Sequence, residues 1–187
     1  MSYGRTRRPE GGANLYSLPT SFIAVDTETT GLDFDLCNII EIGAVKVDNG
    51  EIVDSFKTLI KVDEKLPPFI VHLTGITDEM LADAPSLNEV MTDFDAFVGG
   101  SILLAHNAAF DMNFLYTAYE RALGKPLSND YVDTLRVARR ALPQLQHRTL
   151  SDLCAVFEVV NEGEHRAYGD ALATVQCYLR MRDIVIE

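Results

Sequence analysis

Basic residues are the first scarcity: 16 Lys and Arg stand against 28 Asp and Glu in 187 residues, a formal net charge of −12. Holding nucleic acid by broad neutralisation of its phosphates needs clustered Lys and Arg, so that class of binder is disfavoured. Any grip on DNA or RNA is brief, or a partner supplies it. Cysteine is sparse as well. Cys37, Cys154 and Cys177 are odd in number and show no ligand-like pairing, which argues against a disulfide framework and a thiolate zinc site. They read as small buried hydrophobes. No apolar run approaches the roughly 20 residues of a membrane helix, and the N-terminus lacks the continuous apolar stretch of a secretion signal. The expectation is a cytoplasmic protein with no membrane partner.

What is present is the material of one globular domain: 47% hydrophobic and 24% charged residues. Residues 1–19 hold Arg5, Arg7 and Arg8, three glycines and two prolines without apolar periodicity. They read as a mobile leader or linker, the alternative being a short basic arm that touches nucleic acid. Residues 20–187 are then the folded domain. Residues 22–25 form an apolar run suited to a buried strand, ending at the polar stretch 26–31. Two more strand-like segments, 39–47 and 52–62, flank Asn49-Gly50, a pair that tolerates the positive φ of a type I′ hairpin. Ile52, Phe56, Ile60 and Val62 fall on one face, and Ser55, Lys57 and Lys61 on the other, as in a half-covered antiparallel sheet.

After Pro67-Pro68 the alternation stops. Ser86-Leu87-Asn88-Glu89 is a capping box for a helix that turns Leu87, Val90, Phe94 and Phe97 inward. Residues 102–105 make a short strand, and Asn107 is placed to cap a helix carrying Phe110, Phe114, Ala118 and Ala122. Further helices are expected at 134–142, with Asp133 as N-cap, at 150–157, and at 167–182, where Leu172, Val175 and Leu179 face the core. A three-stranded meander followed by alternating strands and helices specifies an α/β fold, a mixed sheet flanked by helices.

Against this apolar background a few acids stand out. Asp26 and Glu28, two apart at a strand end, project from one face while Thr27 points away; adjacent oxygen donors of this kind can share a hard cation. Asp111 shares its helical stripe with Leu115, Ala118 and Ala122, so its carboxylate is desolvated unless a cation or hydrogen bonds compensate. Its other reading is complementing a helix dipole. Asp170 lies on a stripe with Thr174, Cys177 and Met181, and His165 sits just before that helix. Four carboxylates and one imidazole in apolar segments suggest a two-metal site that cleaves phosphodiesters.

The segments Asp26-Thr27-Glu28-Thr29-Thr30-Gly31-Leu32, His106-Asn107-Ala108-Ala109-Phe110-Asp111 and His165-Arg166-Ala167-Tyr168-Gly169-Asp170 resemble, in order, the three exonuclease motifs of the DEDDh family of 3′-5′ exonucleases. The likeness runs from about Phe22 to the C-terminus. Residues 39–45, 73–77 and 133–139 also look like the proofreading exonucleases of bacterial replicative polymerases, either the separate subunit or the built-in domain. On that comparison the chain lacks the tail by which the separate subunit binds its polymerase.

The resemblance implies a ribonuclease H-like fold with a mixed five-stranded sheet, and two divalent ions, Mg²⁺ or Mn²⁺. Asp26, Glu28 and Asp170 would ligate one ion, Asp26 would bridge to the second, and Asp111 would support that second ion directly or through water. His165 would accept the proton of the attacking water, a role for which an imidazole is suited. The product would be a nucleoside 5′-monophosphate. Family likeness gives Thr29 to the terminal 3′-hydroxyl, Leu32 to wedging between the last two bases and Phe110 to the terminal nucleotide, with Thr74 and Asn107 as further substrate-side residues. His106 is expected to shape its motif. Arg136, Arg139, Arg140 and Arg148 form either a phosphate-facing ridge or, as favoured, a solvated helix face. The implied partners are a single-stranded or frayed DNA 3′ end and a DNA polymerase. An exonuclease that trims RNA 3′ ends and a non-catalytic module that binds strand ends or a polymerase are the alternatives, since the catalytic residues do not distinguish sugars.

Overall fold

The computed structural model describes residues 11–186. Five strands, β1 (Phe22–Thr29), β2 (Ile39–Asp48), β3 (Glu51–Leu59), β4 (Leu103–Ala105) and β5 (Tyr131–Asp133), form one sheet in the order β3-β2-β1-β4-β5. The first three pair antiparallel, and β4 and β5 join parallel, so the sheet is mixed as expected. Asn49 and Gly50 take φ of 50° and 85°, the conformation the hairpin needs. The helices are α1 (Pro68–Thr74), α2 (Asp78–Ala82), α3 (Leu87–Val98), α4 (Ala109–Leu123), α5 (Thr134–Ala141), α6 (Leu150–Phe157) and α7 (Ala167–Ile186). No helix among the described residues is long and apolar enough to cross a membrane.

β1 is buried on both faces, and its period of two divides the core. Ile23 and Val25 enter the layer under α3 and α4, with Phe94, Met112 and Leu115. Phe22 and Ala24 enter the layer under α5, α6 and α7, with Val137, Leu153, Tyr178 and Met181. A smaller cluster of Ile40, Leu66, Ile70, Ile76 and Leu81 seats α1 and α2. Ser86 and Glu89 make the reciprocal capping box at α3, and Asp133 caps α5 by accepting from Leu135 N–H at 3.0 Å.

Three expectations need correction. Asn107 does not cap α4: its own φ is 58°, the N-cap is Ala108, and no side chain caps that end. The chain must turn sharply from β4 into α4, and Asn is among the few residues that tolerate the left-handed conformation this requires. Ile52 is about half exposed rather than inward, because it lies at the hairpin end of an edge strand, beside a register shift between Lys46 and Val47. The short elements α1, α2 and β5 carry too little periodicity to be read individually. Finally, Arg5, Arg7 and Arg8 lie outside the described residues, but from Gly11 onward the supposed leader is held against the domain. Leu15 N–H donates to the Tyr131 carbonyl at 2.7 Å and Tyr131 N–H to that of Ala13 at 2.9 Å, extending the sheet beyond β5. Arg136 donates to Asn14 and Leu15 and stacks on Tyr16, while Tyr178 and Arg182 hold the carbonyls of Pro19 and Leu18.

The fold brings α7 onto β2 at Gly43, where a Cβ would stand 2.1 Å from the backbone nitrogen of Tyr168. Nothing there can yield without moving the start of α7. Gly43→Ala is expected to destabilise the protein by about 3 kcal/mol or more, the cost of overpacking against rigid backbone; a urea midpoint unchanged from wild type would show that α7 can move off β2.

Candidate active site

Strand parity places the acids. Asp26 and Glu28 continue the face of β1 that carries Phe22 and Ala24, and so point toward the first turn of α7, which bears Asp170. Oxygen atoms of Asp26, Glu28 and Asp170 all lie within 4.8 Å of one another. Thr27 points to the opposite layer, where α4 begins. β4 pairs with β1 only at Ile23 and Ala24, so the edge of β1 beyond is free. There the Asp111 Oδ1 accepts both the backbone N–H of Thr27 at 3.0 Å and its hydroxyl at 2.8 Å. Asp111 is only 3% exposed. It is thus locked to the strand end from behind, near enough for its charge to act on Asp26 but outside the cluster of Asp26, Glu28 and Asp170.

Burial and mutual repulsion hold these groups far from their ordinary titration. Burial, followed by the negative charges of Asp111, Asp170, Glu28 and Glu41, raises the Asp26 carboxyl well above the usual carboxylate range. Glu28 is pushed up to about 8 by burial and by Asp170, Glu41 and Asp111, with Arg166 opposing. Asp111 rises to about 7 through burial, against the hydrogen bonds from Thr27. Asp170 is raised by burial, while hydrogen bonds from Asn161 and the His165 backbone oppose. Oxygen donors that resist ionisation next to one another but sit within ligand distance fit a hard divalent cation, which reverses the repulsion.

The loop from α6 to α7 carries the histidine. His165 is exposed, with φ of 60°. Its N–H donates to Asp170 Oδ2 at 3.1 Å, and Asn161 Nδ2 donates to Oδ1 at 2.5 Å. Glu41, buried on β2 directly opposite Glu28, receives a two-pronged ion pair from Arg166 and the N–H of Ala167. Sequence reading missed Asn161, Glu41 and Arg166 as parts of the site. An acid inside the apolar run 39–47 was the available signal for Glu41; Asn161 had none.

The remaining residues divide. Leu32 is 68% exposed on the loop after β1, free of the core. Phe110 lies at the start of α4, partly buried, its ring 4.9 Å from Phe114. Thr29 is buried and its hydroxyl donates to the Gly31 carbonyl. Thr74 is buried, donating to Ile70 and accepting from Ile76 N–H, so both roles of its hydroxyl are engaged at the end of α1. Asn107 is exposed at the turn into α4. His106 shapes its motif as expected, bonding Thr134 Oγ1 at 2.9 Å and the Arg148 carbonyl at 2.8 Å. Arg148 itself holds the carbonyls of Leu142 and Pro143, and Arg136 holds residues 14–15, so neither belongs to a phosphate-facing ridge. The sulfurs of Cys154 and Cys177 pack 3.9 Å apart with both thiols pushed up by burial, as small hydrophobes do.

With this geometry in place, comparison with known proteins is informative. The sequence model described as "Exonuclease" matches residues 23–178. The chain is 41% identical over 169 residues to a DNA polymerase III PolC-type protein of Halalkalibacterium halodurans, and 42% identical over 161 residues to that of Staphylococcus aureus. These alignments take in 90% and 86% of this chain but only 12% and 11% of the relatives, so the chain corresponds to a small part of each. Among solved structures, exonuclease X in complex with 5′ overhanging duplex DNA superposes with TM-score 0.70 at 26% identity, covering 86% of this chain and 90% of that one. E. coli exonuclease I in complex with a dT13 oligonucleotide gives 0.72 at 18% identity over 86% and 41%, a likeness of fold. The expected ribonuclease H-like architecture is thereby established.

The raised carboxyl values fix how stability depends on pH. An acid whose folded value lies above its unfolded one binds its proton more tightly when folded, so the contribution is complete below the unfolded values near 4 and is lost as pH rises toward 7 and 8. In EDTA the melting temperature should therefore fall as pH climbs from about 5 to about 8, and Mg²⁺ or Mn²⁺ should restore more of it at the upper end. Replacing Glu28 with Gln and Asp111 with Asn should flatten the slope; an equally steep slope in that double variant would place its origin elsewhere.

Proposed function

The chain belongs to the exonuclease family, and from that premise we propose that it is a metal-dependent 3′-5′ exonuclease that releases nucleoside 5′-monophosphates from DNA 3′ ends in support of replication proofreading. The observation that carries the reading is the convergence of Asp26, Glu28 and Asp170 within 4.8 Å, with Asp111 fixed behind them. Asp26, Glu28 and Asp170 would hold one divalent cation, Mg²⁺ or Mn²⁺, and Asp26 and Asp111 would serve a second. Cations bound there supply neutralising charge at the scissile phosphate and acidify the attacking water.

The chain's own residues do the rest. His165, exposed beside Asp170, accepts the proton of the attacking water on its ring. Leu32, projecting from the loop after β1, enters between the last two bases, and Phe110 packs against the terminal nucleotide. Apolar contact with base faces tolerates any sequence, as removal of any nucleotide requires. Thr29 serves the terminal 3′-hydroxyl once its hydroxyl turns from Gly31. Thr74 and Asn107 act on the substrate side, Thr74 by holding the end of α1 and Asn107 by exposing its amide at the turn into α4.

DNA is favoured over RNA because the relatives at 41–43% identity are DNA polymerases by name and the exonuclease X match holds DNA. With a net charge of −12, firm binding along a strand falls to a partner, for which a DNA polymerase is the natural choice. Time courses on matched DNA and RNA oligonucleotides in Mg²⁺ test the proposal. Stepwise mononucleotide release from the DNA 3′ end is expected, and a strong preference for RNA would refute it. Asp26→Ala should abolish release; His165→Ala should lower turnover by about 100-fold at neutral pH while retaining metal affinity. Loss of metal binding in the histidine variant would mean that His165 is a ligand rather than a base.

A further inference from the structure

Glu41 and Arg166 lie outside the acidic quartet, yet they join the two elements between which the site is built. Arg166 donates through Nε to Glu41 Oε2 at 3.0 Å and through Nη2 to Oε1 at 2.7 Å; the N–H of Ala167 donates to Oε2 at 3.0 Å. The Glu41 side chain is 6% exposed and that of Arg166 41%, so the pair is anchored in β2 and reaches outward to the loop. A fork of this kind fixes orientation as well as distance.

What it orients is the segment beginning at His165. That residue has φ of 60°, a left-handed conformation that a non-glycine residue keeps only when its surroundings impose it. Three contacts impose it: Arg166 N–H to the Gly163 carbonyl at 2.9 Å, His165 N–H to Asp170, and the Arg166 fork one residue on. Further in, Gly43 lets residues 167 and 168 lie directly on β2. Of these three contacts, the fork is the one that reaches β2, one residue on from His165.

We propose that Glu41 and Arg166 are a positioning pair for the hydrolysis, holding the backbone at 165–167 in the one arrangement that keeps the His165 ring beside Asp170. The inference rests on the reading of His165 as proton acceptor. Arg166 acts through His165 and takes no proton itself. A second consequence is local: the guanidinium balances Glu41, which would otherwise face Glu28 as a like charge across the strand pair.

The test is a double-mutant cycle on the full chain with 5′-labelled single-stranded DNA in Mg²⁺. Arg166→Gln should lower kcat by about tenfold to 100-fold, the scale of a misplaced catalytic group, with KM changed by no more than about twofold and Mn²⁺ affinity not lost. In a His165→Ala background the same substitution should cost less than about twofold, because the group it positions is gone. Arg166→Lys, which keeps the charge but not the fork, should recover part of kcat. Equal losses in both backgrounds, or lost Mn²⁺ affinity, would overturn the inference. If Arg166→Gln does not fold, Glu41→Gln with Arg166→Gln leaves no buried charge unpaired and carries the same cycle. A wild-type chain silent on DNA and RNA with every divalent ion sinks the nuclease reading and this inference with it; an active wild type with additive losses sinks only the inference.

Discussion

Carboxylates crowded at one strand end repel one another, and the fold is organised to hold them there. Each is fixed by a different device. Asp26 and Glu28 are set by the pleat of β1, Asp111 by the unpaired N–H and the hydroxyl of Thr27, and Asp170 by the loop that folds over it. The brevity of β4 is part of this arrangement. A strand two residues longer would pair with Thr27 and take from the buried Asp111 one of its two hydrogen bonds. The carboxyls of Asp26, Glu28, Asp111 and Asp170 are raised by burial first and by neighbouring negative charge second, and a divalent cation is the counter-charge that offsets both.

How much of this was legible in the sequence depends on whether the signal was local. The hairpin at Asn49-Gly50, the capping box at Ser86 and the Asp133 cap were readable because each lies within a few residues and obeys backbone chemistry that tertiary context did not override. The acidic quartet was readable because acids in apolar segments conflict with burial. Asn107 misled for a local reason: its type suits both a cap and a left-handed turn, and only the angle at which β4 meets α4 decides between them. Residues 11–19 misled for a non-local one, since what holds them is the free edge of β5 and the side chains of Arg136, Tyr178 and Arg182, all more than 100 residues away. Asn161 and the Glu41–Arg166 pair belong to the same kind. Their partners are defined by the sheet register, which no short window of sequence contains.

The overall charge and the site tell one story about how such an enzyme meets its substrate. Two of the four arginines that looked available for phosphate are committed, Arg136 to residues 14–15 and Arg148 to the carbonyls after α5. A chain of net charge −12 repels a polyanion that comes within about one Debye length, so in the function proposed above attraction comes from bound cations and from apolar contact at Leu32 and Phe110. Binding of that sort is confined to the last nucleotides of a strand.

Rigidity is distributed unequally across the site, and the inequality follows the chemistry. Asp111 is buried and doubly bonded to β1, whereas His165 stands exposed on a left-handed turn. Ligands to a hard cation gain from fixed geometry, because each ångström of drift reopens the repulsion among them. A proton acceptor has a different requirement: it must reach the attacking water and then give the proton to solvent, which an exposed ring does faster than a buried one. The Glu41–Arg166 fork reconciles the two needs. It pins the backbone beside the histidine to an interior strand and leaves the residue exposed, so the proposed base is held at its root and free at its tip.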